Sequence, residues 1–330
     1  MVGIAKKVKW SVLGIALVGV LGFSAGAHAD TENYPDRTIH VVVPYPAGGN
    51  TDIIAREVTR RMSEKLGQSI VVENKPGANS IIGTKYVADA KPDGYTLGMV
   101  IGAYANNFSL YEDLPFTRDD LLPITQLTQT SLVLVTSHKD VKTIDDIVAM
   151  GDDPDKPVTY ASSGVGSAAH LLGERLKRVA NIEAAEHVPY KGSAEAVSDL
   201  VGGRVDFMFD AISAMGSHIR ADRLQAVAVT GDSRAATLPD TPSMVEHGYP
   251  KMVAHAWGGL LAPKGTSPEI IDKLAKVAAD VLHNDEELAE KLASISTEPV
   301  GSTPEAFDEF LSEEIRSNGA IIESLNITQD

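Results

Sequence analysis

The chain has 330 residues, enough for two domains of ordinary size. Its 43% hydrophobic and 22% charged content is that of a globular protein and excludes disorder, collagen and coiled coil. The absence of cysteine removes disulfides, thiolate nucleophiles, cysteine metal sites and a lipid-anchor cysteine, while 45 acidic against 29 basic residues argue against nucleic acid or an anionic membrane as partner.

Lys6, Lys7 and Lys9 precede an apolar run from Trp10 to Phe23, and Ala27-His28-Ala29 supplies the small residues a signal peptidase reads. Residues 1–29 therefore read as a cleaved signal peptide, because the run is shorter than the roughly 20 apolar residues a membrane span needs. The expected product is soluble, acidic and periplasmic.

Ile39 to Val43 reads as a short buried strand, followed by the breaker-rich loop Pro44 to Asp52. Ile54, Val58, Met62 and Leu66 recur at spacing four and predict a helix that Gly67 stops. Ser69 to Glu73 is a second strand, Ile81 to Ala90 a helix and Tyr95 to Ile101 a third strand. Strands alternating with helices imply a mostly parallel sheet flanked by helices. The same grammar returns further on. Leu132 to Thr136 and Val158 to Ala161 read as strands, with Thr143 capping a helix between them. The loop Ser162 to Ser167 opens a helix carrying Leu172, Leu176 and Val179. Val205 to Phe209 and Leu224 to Val229 are strands, Gly231 to Pro250 is loop-rich, and Val253 to Leu261 is a strand returning to the first block. The last 60 or so residues are helical, with Thr303-Pro304 starting the terminal helix.

Catalytic and cofactor signals are weak. There is no Gly-x-Ser-x-Gly elbow, no His-x-x-x-His spacing, no third glycine after Gly164-Val165-Gly166 and no P-loop Lys after Gly48-Gly49. No cofactor or metal is expected, and His170 reads as a helix residue with a satisfied hydrogen bond. The loops at 44–52 and 162–167 share a physical property: each follows a strand and opens a helix, so backbone N–H groups without intrahelical acceptors are offered at the strand ends.

Six ordered motifs then become recognisable. They are Pro44 to Gly49 with Thr51-Asp52, Val72 to Ala78, Lys91 to Leu97, Ser162 to Ser167 with His170-Leu171, Val188 to Gly192, and Gly202 to Asp206 with Met208 to Asp210. From about Tyr34 to the terminal helix the chain resembles the Bug family, the periplasmic solute receptors of tripartite tricarboxylate transporters.

The resemblance implies an α/β, two-lobed Venus-flytrap fold of type II, each lobe a mixed, mostly parallel sheet flanked by helices. Lobe one would be 31–134 plus 257–330 and lobe two 135–256. It also implies a cleft ligand held by loop backbone, hydroxyls and waters, and delivery to large and small membrane subunits by a monomeric receptor. By motif matching, the ligand residues are Tyr45, Ala47, Gly48, Gly49, Asn50, Thr51, Asn107, Ser162, Ser163, Gly166, Ser167, Tyr190 and Asp210, the last either a water-mediated contact or a strand-end residue bonding backbone N–H groups. Asn50, Val165 and Asn106-Asn107-Phe108 depart from the usual family pattern, so no relative's ligand carries over. Asp52 reads as a helix cap, Lys191 as a solvated loop lysine and Trp257 as core. The expected function is capture of a small carboxylate, preferably a dicarboxylate. An amino acid or nicotinate-like ligand, presentation to a sensor kinase, and a serine hydrolase using Ser162 or Ser163 are the alternatives.

Overall fold

The computed structural model describes residues 1–3, 33–153 and 155–325, so the expected signal peptide lies outside the described residues save for its first three. No helix among the described residues is long and apolar enough to cross a membrane.

The first half is built around β1 (Ile39–Val43), whose inward positions are almost fully buried. It pairs in parallel with β2 (Ile70–Asn74) and β3 (Thr96–Ile101). α1 (Asn50–Leu66) crosses from β1 to β2 and ends on Gly67 in the left-handed conformation. α2 (Ile81–Ala88) crosses from β2 to β3, and α3 (Gly102–Leu110) follows β3 directly.

β4 (Leu121–Thr136) is a single 16-residue strand, far longer than the Leu132 to Thr136 segment expected from its apolar run. The second half then adds α4 (Ile144–Met150), β5 (Val158–Ser162), α5 (Ala168–Val179), β6 (Ala185–Pro189), α6 (Ser193–Val201), β7 (Phe207–Ala211), α7 (Ile212–Arg220) and β8 (Gln225–Val229). The Thr143 hydroxyl caps α4 by accepting the Asp146 N–H. β9 (His255–Pro263) leads back to the first half, where α8 (Pro268–Asn284), α9 (Glu286–Ser294), β10 (Glu298–Pro299) and α10 (Pro304–Ser324) complete the fold.

The strands form one mixed sheet in the order β2-β1-β3-β9-β4-β7-β5-β6, with β8 and β10 also paired to β4. β4 is antiparallel to β9 from Leu121 to Ser131, then antiparallel to β7 and β8 from Leu132 onward. The sheet thus changes partners along one strand, between Ser131 and Leu132.

Each half has its own apolar cluster. Ile39, Val41 and Val43 pack with Ile54, Val58 and Met62 of α1 and with Ile271, Leu274 and Ala278 of α8. Tyr160, Phe207 and Phe209 pack with Leu172 and Leu176 of α5. A further cluster joins Trp257 of β9 to Tyr104 of α3 and Phe307 and Leu311 of α10. α10 runs along α3 and β4 and reaches α5 of the other half.

α10 packs tightly on the sheet at Gly259 of β9. A Cβ there would lie 2.2 Å from Phe307 Cζ and 2.9 Å from the Thr125 carbonyl oxygen. Gly259→Ala is expected to destabilise the protein by about 1 to 3 kcal/mol, since a rigid backbone and a buried ring must both shift. Urea unfolding measures this, and a midpoint equal to wild type would contradict the close packing of α10 on β9.

Candidate functional site

A cleft of about 670 Å³ lies between the two halves. From the first half it is lined by Tyr45, Asn50 and Thr51 of the β1–α1 connection, by Asn79, and by Asn106 of α3. From the second half come Ser163, Gly164, Val165, Gly166, Ser167 and Ala168. Thr128, Thr130 and Leu132 of β4, His255, Ala256 and Trp257 of β9, and Arg175, Glu314 and Asn318 complete the lining.

The first loop is shaped by Asp52. Its carboxylate accepts the Gly48 N–H at 2.9 Å, the Asn74 Nδ2 at 2.9 Å and the Arg56 Nε at 3.0 Å, while the residue is only 3% exposed. These donors, Arg56 foremost, hold its pKa down to about 2. Asp52 therefore fixes the loop from behind, as a local cap, and α1 begins after Gly49 with no side-chain cap of its own. Gly48 has a φ of +82°, a backbone conformation that a β-branched residue enters only with strain. The N–H groups of Asn50 and Thr51 in the first turn have no intrahelical acceptor.

The second loop is shaped by two histidines. The His170 and His187 rings stack with centroids 3.8 Å apart, and His187 stacks in turn on Tyr160. Gly166 N–H donates to His170 Nδ1 at 3.0 Å, and the Ser162 hydroxyl meets His187 Nε2 at 2.7 Å. The Ser167 hydroxyl caps α5 by accepting the His170 N–H. Gly166 also approaches the first half: a Cβ on it would lie 2.8 Å from Leu110 Cδ1, and its carbonyl accepts Asn106 Nδ2 at 3.2 Å. Burial lowers the pKa of His170, and burial with the adjacent His170 pushes His187 down to about 4. The Gly166 bond requires an unprotonated Nδ1, so a neutral His170 holds the loop.

Of the thirteen residues singled out by motif, six line the cleft: Tyr45, Asn50, Thr51, Ser163, Gly166 and Ser167. Ala47, Gly48 and Gly49 belong to the same loop but lie outside the lining. Asn107 is fully buried and exchanges two hydrogen bonds with Asn79, which does line the cleft. Ser162 is fully buried beneath the second loop, and the Tyr190 hydroxyl donates to Asp199 at 2.8 Å. Asp210 accepts the Ala211 N–H at 2.7 Å, and burial holds its carboxyl above the ordinary range. Lys191 is exposed and outside the lining.

The Ser162–His187 contact brings a base beside the serine, which no motif in the chain announced. Ser162, however, has no exposed surface, and no carboxylate is hydrogen-bonded to His187 among the described residues. The pair builds the loop rather than a nucleophile. Sequence reading also missed Arg175, His255, Glu314 and Asn318, whose places in the lining depend on how α5, β9 and α10 meet.

Two α/β halves joined through β4 and β9, with a helix-opening loop from each facing one cleft, define a solute-binding protein. The family described as "Tripartite tricarboxylate transporter family receptor" matches residues 54–327. The chain is 36% identical to Protein BugT of Bordetella pertussis over 316 residues, 94% of this chain and 95% of that one. Among solved structures, a Rhodopseudomonas palustris protein with adipate is 30% identical at a TM-score of 0.76, covering 90% of this chain and all of that one. MatC from Rhodopseudomonas palustris with bound malate is 29% identical at a TM-score of 0.71, covering 88% of this chain and all of that one. The chain belongs to this receptor family, and its members are solute-binding receptors, not enzymes.

The histidine pair makes a pH prediction. The unfolded chain takes up a proton on His187 near 6.5, whereas the folded one refuses it until about 4. Stability is therefore intact above pH 6.5 and falls as pH drops from there toward 4. Thermal unfolding across this range should show a declining Tm, and His187→Gln should flatten the decline. A wild-type Tm that stays level would contradict the buried neutral pair.

Proposed function

We propose that this protein is an exported periplasmic receptor that captures a small carboxylate, preferentially a dicarboxylate, and delivers it to the large and small membrane subunits of a tripartite tricarboxylate transporter. One observation carries the ligand class: helix-opening loops from opposite halves face a single cleft, each presenting hydroxyls and the first N–H groups of a helix. Relatives solved with malate and with adipate support the same class. In this reading residues 1–29 are a cleaved signal peptide. Lobe one comprises residues 31–134 plus 257–330 and lobe two residues 135–256. The change of sheet partner after Ser131 and the start of β9 at His255 favour crossings close to these boundaries.

The ligand's first carboxylate is assigned to Asn50, Thr51, Ser163 and Ser167, since the Gly166 N–H is taken by His170. Each helix terminus contributes about 0.3 to 1 kcal/mol and each hydrogen bond to a charged oxygen about 1.5 to 3 kcal/mol. Ser163→Ala and Thr51→Val are thus each expected to weaken binding by about 1 to 3 kcal/mol, with Lys191→Ala nearly neutral. A thermal-shift panel of organic acids identifies the ligand, since a compound binding only the folded state at 100 times its Kd adds about 2.7 kcal/mol of stability. Titration calorimetry on the three variants then assigns the residues. Loss of binding in Lys191→Ala alone would overturn this account of the anion site.

Capture is also expected to close the lobes, because neither loop can enclose a carboxylate alone. Small-angle scattering at saturating ligand should give a smaller radius of gyration than the free protein. An unchanged radius would count against closure.

A further inference from the structure

The cleft of this acidic protein is lined by one lysine or arginine among the described residues, Arg175 of α5. It is half-buried, and neither a hydrogen bond nor an ion pair joins its guanidinium to any described residue. Its neighbours on α5 are committed elsewhere. Glu174 pairs with Lys177 and accepts the Tyr160 hydroxyl, and Arg178 donates to Ser324.

The charge facing Arg175 from α10 is Glu314, which already accepts Trp257 Nε1 at 2.8 Å and Asn318 Nδ2 at 3.4 Å. Glu314 interacts with Arg175 through space without forming an ion pair, and burial lowers the arginine pKa more than Glu314 restores it. A partly desolvated cation without a partner is costly, and an anion arriving beside it recovers much of that cost.

We propose that Arg175 reads the second carboxylate of the ligand, so that the cleft selects doubly charged acids over singly charged acids of the same length. This rests on the carboxylate-receptor reading above. The geometry supports it. Arg175 follows Ala168 by seven residues, a rise of about 10 Å along α5. A long helical side chain leans back over the turn preceding it, which brings the guanidinium toward the loop at the helix N-terminus. The loops and Arg175 thus form two anion-binding elements along one helix edge. The loops hold any carboxylate, and Arg175 adds discrimination.

The test is titration calorimetry of the full mature protein with succinate, glutarate and adipate, each paired with its monoacid: butyrate, pentanoate and hexanoate. Wild type, Arg175→Gln and Arg175→Lys are compared. At least one diacid is expected to bind wild type about tenfold or more tighter than its monoacid, as charged hydrogen bonds require. Arg175→Gln should bring that ratio close to one while leaving monoacid affinity little changed, and Arg175→Lys should retain part of the preference. An undiminished ratio in Arg175→Gln overturns the proposal, as does an equal loss for diacid and monoacid, which would make Arg175 a structural partner of Glu314. If wild type binds no acid of the series while other ligands stabilise it, the carboxylate reading itself fails and takes this one with it. Matching thermal midpoints for the three proteins without ligand confirm that folding is not the cause.

Discussion

The antiparallel pairing of β4 with β9 is the constraint on which the rest of the molecule depends. These two strands carry the chain between the halves, and among the described residues β4 alone is hydrogen-bonded to strands of both. A paired strand resists bending, so relative movement of the halves has to be absorbed where β4 exchanges β9 for β7 and where the chain enters β9. Those places also line the cleft, through Thr130, Leu132 and Ala256. In the closure proposed above, the hinge and the lining of the cleft are therefore the same stretch of backbone.

The two loops are held by different chemistry to the same end. Asp52 ties the first loop to α1 and Asn74 as an ionised acceptor. The His170–His187 stack ties the second as neutral acceptors and aromatic surface. In both cases a polar side chain orders the loop, and the hydroxyls of Thr51 and Ser163 line the cleft. Loops ordered before the ligand arrives lose less freedom on binding, so more of each hydrogen bond appears as affinity.

Much of this was legible in the sequence, and the failures have physical causes. Apolar runs and breakers located β1, β5 and both loops, and hydroxyl residues before helical periodicity located the caps at Thr143 and Thr303. The first part of β4 escaped notice because Thr125, Gln126, Thr128 and Thr130 are polar residues buried by the packing of β9 and α10. α3 and β6 were missed for want of periodicity, since Gly102–Leu110 has no marked apolar face and Ala185–Pro189 alternates polar residues on a half-exposed edge. The loops of the site could be found because their signals are local. Arg175 could not, because an arginine in an amphipathic helix reads as solvated until α10, far along the chain, folds beside it.

The position of β9 in the sheet also governs the order in which the molecule can be made. β3 and the first part of β4 are not bonded to each other; β9 lies between them. While the chain emerges from its N-terminus, both strands present unpaired edges until β9 has been synthesised, after the entire second half. The first half therefore cannot complete its sheet ahead of the rest, and folding is dominated by contacts between distant segments, which form slowly. On the export route proposed above, that delay suits threading through a narrow translocation pore: the chain stays unfolded in transit and completes its fold once about the last quarter has followed.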